Sequence, residues 1–302
     1  SDNNNSSSSN SNNPTPTIVT RNALLHACAM GSQWTRTLSL FESFSKSNVA
    51  LDSACYGSAM VACTAGSEWE KALCLFRGSK APTDNVCLGA AVGACGAGQQ
   101  WELALAYMGT VRAPNVVRSA MTACERASCW SISLRLLEEL RGRDDSPTMT
   151  ANIALQACKQ GLQWQRALEI CRWVADPDRM TFTILLELFR DSERPLEESL
   201  LIYREGWEAN IFDHWHPREV GRMDLHRFTV ETARVAVLSV LMDLQTGIVV
   251  PGDGLQLRQG FLDVIVGRGN HSKDGEAILK PALEEMFAVE FQNCRLVGGS
   301  VY

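Results

Sequence analysis

The sequence predicts a mainly α chain: a solenoid of helical-hairpin repeats followed by a small two-layer α/β domain of order β-α-β-α-β. Two periodic signals and one break carry that reading. Tryptophans fall at Trp34, Trp69, Trp101, Trp130 and Trp164, and each opens Trp-x-x-(Thr/Ala/Ser)-Leu. A sixth copy begins at Leu196 instead. Six residues before each Trp stands a cysteine that follows an alanine: Cys28, Cys63, Cys95, Cys124 and Cys158. The Trp spacings of 35, 32, 29 and 34 residues suit a repeat of two short helices. After about Glu205 the pattern stops, and four of the five histidines follow, at His214, His216, His226 and His271.

Residues 1–16 are a polar low-complexity run that cannot bury a core, and they read as linker or tail. The repeats then occupy 17–205 and the α/β domain 206–302. The net charge of -6 excludes a generally basic nucleic-acid protein, so any nucleic-acid surface is local. No apolar run reaches the roughly 18 residues of a membrane helix, so no membrane insertion is expected. The chain opens on Ser rather than Met, and the lack of a targeting peptide carries no inference.

Within a repeat, helix A covers stretches such as Asn22 to Met30 and Asn152 to Lys159. Gly31, Gly66, Gly98 and Gly161 mark its end in four copies. Helix B carries the Trp-x-x-Ala-Leu face. One such pair cannot bury its apolar stripe alone, so neighbours must stack. The five repeat cysteines are expected to be small buried packing residues, unreactive as thiols. They lie a whole repeat apart, without the close Cys/Cys or Cys/His spacing of a zinc site, so no zinc is expected. The tryptophans are expected as core between helices rather than as a base-stacking platform.

Val19-Thr-Arg-Asn-Ala-Leu-Leu is similar to the opening of the pentatricopeptide repeat family, and the units resemble that family. The resemblance implies a right-handed α–α superhelix that binds single-stranded RNA. It implies that each repeat reads one base with a residue early in helix A and a residue at the repeat's end. The early residues are Asn22, Gly57, Gly89, Arg118, Asn152 and Thr183, and the closing residues are Asp52, Asp84 and Asp178. Asn22 with Asp52, and Asn152 with Asp178, match a family pairing for pyrimidines, mostly uracil. Gly57 and Gly89 have no side chain to read with, and the short third and fourth repeats lack a clear closing Asp.

In the C-terminal region, Met223 to His226 reads as a strand edge, and Thr229 as a cap with Glu231 in the first turn of a helix. Val230, Ala233, Val237, Leu241 and Leu244 fall on one face of it. A loop from Gly247 to Gly260, a strand from Phe261 to Val266, a glycine turn and a helix from about Glu276 to Phe287 follow. Pro281 kinks that last helix or marks its start. Cys294 to Val297 and Gly299 to Tyr302 suggest final strands. Gly267 and Gly269 permit a turn whose amides favour an anion, with Arg268, His271, Ser272 and Lys273 beside it. His214 and His216, around Trp215, are expected to pack between domains rather than to bind metal.

Met-Asp224-Leu-His226 before one helix and Gly267-Arg-Gly-Asn-His271-Ser272-Lys before the next resemble the two motifs of the small MutS-related domain. Arg227 stands where that family has glycine. The combination with pentatricopeptide repeats occurs in organelle RNA-processing proteins, which implies a mitochondrial or chloroplast setting. Some members of the family are nucleases acting on RNA or DNA. The resemblance implies that Asp224 and His226 lie close to the glycine turn. There Asp224 suits a hard cation such as Mg2+, and His226 or His271 suits general acid–base work. The turn amides, with Arg268, suit the scissile phosphate. Two alternatives stay open: a non-catalytic RNA adaptor, in which Asp224 and His226 are structural hydrogen bonders, and a protein-binding helical scaffold.

Overall fold

The computed structural model describes residues 17–31, 33–46, 51–78, 84–109, 111–215, 222–246, 263–266 and 278–290. Among them are fourteen helices and two strands. The helices form a repeat array. Its A helices are α1 (Ile18–Met30), α3 (Ser53–Ala65), α5 (Asn85–Ala97), α7 (Pro114–Arg126), α9 (Pro147–Gln160) and α11 (Arg179–Asp191). Its B helices are α2 (Trp34–Lys46), α4 (Trp69–Gly78), α6 (Trp101–Met108), α8 (Trp130–Leu140), α10 (Trp164–Trp173) and α12 (Leu196–Glu208). Every Trp of the repeat pattern opens its B helix. The A helices begin about one turn before the expected points. Capping starts four of them: the side chains of Thr17, Asp52, Asp84 and Asp178 each accept the backbone N–H three residues on, so residues of low helix propensity such as Ile18 and Val19 still join, whereas α7 and α9 open on Pro114 and Pro147 without a side-chain cap.

Two compact units result. One holds the described residues up to Cys129 together with Glu139–Arg143, and the other holds Trp130–Glu138 and the described residues from Asp144 onward. In the first, α3 packs against α1, α2, α4 and α5, and α5 against α3, α4, α6 and α7. In the second, α11 packs against α9, α10, α12 and α13.

The repeat cysteine marks a turn. Its carbonyl accepts the N–H of the residue five positions on, just before the Trp, as in Glu68 to Cys63 and Gln100 to Cys95, both 2.8 Å. This bond sets the six-residue interval between Cys and Trp. Cys63, Cys95, Cys124 and Cys158 are buried with no exposed surface. Burial pushes the first three thiols up to about 11 and Cys158 up to about 12. Cys28 departs from the expectation and is only half-buried. Among the described residues its helix α1 is packed by α2 and α3, without the additional repeat that flanks α3 and α5.

The helix-ending glycines also need a different account. Their φ values lie between -78° and -89°, where any residue is comfortable. The left-handed residue is the next one, and there it is not glycine: Ser67, Gln99, Ser128, Leu162 and Glu193 have φ between 50° and 63°. What requires glycine is the preceding repeat's tryptophan. A Cβ on Gly66 would sit 2.4 Å from the Trp34 ring, one on Gly98 2.5 Å from Trp69, and one on Gly161 2.7 Å from Trp130. Gly31 has no such neighbour, and its Cβ would meet backbone carbonyls at 3.4 Å. The five repeat tryptophans are half-buried rather than core. Two carry a cation on the ring face, Lys71 over Trp34 at 5.0 Å and Arg194 over Trp164 at 4.0 Å.

Past α12 the chain turns over its last repeat. Phe212 is 1% exposed and stacks on Tyr203 at 5.1 Å, in space left by the missing Cβ of Gly206. Strand β1 (Arg222–Asp224) pairs in parallel with β2 (Asp263–Ile265), with Met223 opposite Val264. Helix α13 (Val230–Thr246) lies between them in sequence, and α14 (Leu279–Glu290) follows. The strand is shorter than expected, and His226 falls in the turn after it. Thr229 does cap α13, accepting from the Thr232 N–H at 3.4 Å. Helix α13 is not one-faced, since Glu231–Ala233 and Val235–Val240 are all buried. It packs against α11 and α12 as well as α14. Glu231, 3% exposed, bonds Arg234 at 3.1 Å and lies 3.9 Å from Arg190 of α11. Pro281 is the third residue of α14, in the first turn, where its missing N–H costs nothing. The expected loop 247–260, the glycine turn with Gly267, Arg268, Gly269, His271, Ser272 and Lys273, His216 and the last strands lie outside the described residues.

Candidate nucleic-acid interface

The six early positions share one structural register. Asn22, Gly57, Gly89, Arg118, Asn152 and Thr183 each lie nine residues before the C-cap of an A helix, although the α9 helix is one residue longer than the others. The closing aspartates are the N-caps of the following A helices. This puts each closing residue beside the early residue of the repeat before it.

Two pairs meet. Asn22 Nδ2 donates to Asp52 Oδ2 at 2.9 Å, and Asn22 Oδ1 accepts from the Cys55 thiol at 2.6 Å. Asn152 Nδ2 donates to both oxygens of Asp178 at 3.1 and 3.2 Å, and its Oδ1 accepts from the Thr181 hydroxyl at 2.7 Å. Each amide is therefore held at both ends, by an N-cap carboxylate and by the side chain three residues further on. Burial works against the ionised Asp52, but the Asn22 amide and the Cys55 N–H outweigh it and hold the carboxyl below its ordinary range. Asp178 follows the same pattern, with the Thr181 N–H and Asn152 as donors.

The remaining positions divide. Asp84 caps α5 through the Cys87 N–H at 2.9 Å and faces no amide side chain at the early position, which is Gly57. Arg118 and Thr183 are half-buried and have no N-cap aspartate at the next repeat's expected place. Sequence reasoning missed Cys55 and Thr181, which orient the two amides. It also missed an exposed apolar set three residues before the early position: Val19, Val86, Met149 and Met180, between 52% and 72% exposed. Residues three apart share a helix face, so that set was readable once the register was known.

At the C-terminal edge, Asp224 ends β1 opposite Ile265, and the Leu225 N–H donates to Ile265 O at 2.9 Å. His226 Nδ1 lies 2.5 Å from Asp224 Oδ1, which also accepts the His226 N–H at 3.2 Å. The imidazole is about half exposed. One carboxylate at such an edge fits a cation held by one or two carboxylates with water and phosphate oxygens. The backbone of Asp224 is fixed from behind, its N–H donating to His214 O at 2.8 Å.

His214 is 3% exposed, bonds Tyr203 through Nδ1 at 2.8 Å and sits among Tyr203, Trp207 and Trp215. Burial pushes it down to about 4, against a smaller opposing pull from Asp213. The folded state thus prefers neutral His214. The stability this contributes is present above about pH 6.5 and lost as pH falls toward 4, by about 3 kcal/mol in all. Urea unfolding between pH 7.5 and 4.5 is expected to show that loss, and His214→Gln to remove most of it. A Gln variant with the same pH slope as the parent excludes His214 as the cause.

No family model matches the chain, and no curated protein matches it. Among solved structures it is similar to the crystal structure of the pentatricopeptide repeat protein PPR10 from maize, with a TM-score of 0.52 at 15% identity. The match covers 90% of this chain and 39% of that one, so the chain spans about two fifths of the length of that neighbour. The same maize protein in complex with an 18-nt psaJ RNA element matches at a TM-score of 0.41 and 10% identity, over 78% of this chain and 41% of that one. The fold is therefore a helical repeat array of the kind found in pentatricopeptide repeat proteins.

Proposed function

We propose that this chain binds single-stranded RNA through its repeats and that its C-terminal region, a small MutS-related domain by resemblance, cuts the bound strand as an endonuclease. The carrying observation is the Asn–Asp pair, built in two separate repeats with a thiol as third partner in one and a hydroxyl in the other. An amide held in this way keeps a donor and an acceptor for a Watson–Crick edge. The exposed apolar residues three positions earlier offer a surface to the face of a base. The family resemblance assigns such pairs to pyrimidines and the setting to a mitochondrion or chloroplast.

The nuclease half is supported by the contact of Asp224 with His226. The carboxylate orients the imidazole through Nδ1, and Nε2 then exchanges a proton with the phosphodiester. The pair lies at the carboxyl ends of two parallel strands, the usual place for a ligand in an α/β sheet. Asp224 would hold Mg2+, which supplies charge neutralisation at the phosphate. The family resemblance adds His271, and the Gly267–Lys273 amides with Arg268, to this site.

A second reading, a non-catalytic adaptor, is favoured by the Asp224 Oδ1 bond to the His226 N–H, which also closes a local turn. Cleavage assays on RNA and DNA with and without Mg2+ separate the two. RNA affinity that does not fall with salt would point to a protein-binding scaffold instead.

Asn152→Ala is expected to weaken binding to RNA carrying a pyrimidine at one position by about 1–3 kcal/mol. The measurement is the dissociation constant across RNAs varied one nucleotide at a time. Equal weakening for every sequence would mean that Asn152 reads no base.

A further inference from the structure

Gly57 and Gly89 leave two consecutive repeats without a reading side chain, and the space is not left alike. A Cβ on Gly57 would meet Val86 Cγ1 at 3.0 Å. A Cβ on Gly89 would meet Asn115 Nδ2 at 3.3 Å. Both neighbours come from the following A helix, where each holds the position three residues before the reading position. In the second repeat the intruding group is a hydrocarbon with no donor or acceptor. In the third it is a carboxamide.

Asn115 is exposed, so its side chain is not there to fill a core. It is nonetheless fixed, since Nδ2 donates to the Asn85 carbonyl at 2.8 Å. That bond parallels the one by which Asp52 holds Asn22 through a single N–H. An amide anchored by one N–H retains its second N–H and its carbonyl oxygen for a base edge. Helix α7 needs no side chain from Asn115 for its own start: Pro114 opens it, and its N-cap is Ala113.

We infer that Asn115 is the specificity-determining residue for the nucleotide at the third repeat, reaching back from the fourth to stand in for the side chain Gly89 lacks. The nucleotide at the second repeat meets Val86 and is not discriminated. This rests on the RNA-binding reading above.

The test uses the full chain and RNAs varied one nucleotide at a time, with Asn22→Ala and Asn115→Ala beside the parent. Asn22→Ala marks the nucleotide of the first repeat by loss of preference there. With one base per repeat, Asn115→Ala should erase preference two nucleotides away from that mark. The discrimination lost should be about fivefold or more, and the intervening nucleotide should show none in the parent. Thermal melting checks that both variants keep their fold. Parent preference at that nucleotide that persists in Asn115→Ala, is absent from the start, or is lost at some other position overturns the inference while leaving RNA binding intact. A parent that binds no RNA overturns the RNA-binding reading itself and the inference with it.

Discussion

Replacing His226 by Ala is expected to lower the single-turnover rate of RNA cleavage by about 10²–10⁴-fold, the usual contribution of a positioned acid or base. The dissociation constant for the same RNA should hardly move, because on the proposed reading the repeats would offer several contacts along the strand and His226 would act at the reacting phosphate. Asp224→Ala should follow His226→Ala, since its carboxylate lies 2.5 Å from the ring nitrogen it orients. His271→Ala should do the same. Arg268→Ala should differ, weakening binding and cleavage together, because a phosphate contact is felt in ground and transition states alike. A protein that cuts no RNA or DNA under any divalent metal is the adaptor. A protein that cuts equally well without His226 and Asp224 has its active site elsewhere.

Gly98→Ala is expected to destabilise the fold by about 1–3 kcal/mol, the cost of overpacking, although alanine is the better helix former. The added methyl meets the Trp69 ring at 2.5 Å. Gly66→Ala and Gly161→Ala should behave likewise, against Trp34 and Trp130. Gly31→Ala is the control: the same backbone position without a tryptophan over it, and a change near zero or slightly stabilising. Ala127 and Ser192 already hold the C-cap place in two repeats, so the backbone itself tolerates a Cβ. Chemical denaturation measures all four. In the Trp69→Leu background the Gly98→Ala penalty should shrink, a non-additivity that identifies the ring as the cause. Equal penalties at Gly31 and Gly98 would return the explanation to helix termination.

Much of this was legible in the chain. The Trp and Cys periods located five of the six B helices, because both residues belong to one hydrogen-bonded turn and cannot drift apart; α12, which opens on Leu196, was read from the rest of the pattern. The Asn22/Asp52 and Asn152/Asp178 pairs were reached through the resemblance to pentatricopeptide repeats, and they meet because an N-cap in one repeat lies beside an early helix residue in the last. The glycines were read as helix stops, and nothing in a linear pattern shows that a ring from the preceding repeat lies over three of them but not over Gly31. Burial all round α13 was hidden for a similar reason: α11, α12 and α14 all pack against it and cover faces that its own sequence leaves ambiguous. Asn115 was invisible because the residue that fills a glycine's empty place comes from a different repeat.

The tryptophan contacts have a consequence for how the array opens. Three of the rings, Trp34, Trp69 and Trp130, lean forward over one junction, from a B helix onto the end of the next A helix. Within a unit, stability is then a series of nearest-neighbour couplings rather than one shared core. When α3, α5 or α9 frays at its C-terminal end, it withdraws the seat beneath the tryptophan before it, so loss of order there should loosen the preceding repeat as well. Native-state hydrogen exchange would read this as protection that steps from repeat to repeat. A strand of RNA lying across several repeats would bind best where those steps are smallest, because each junction it spans is one it must keep closed.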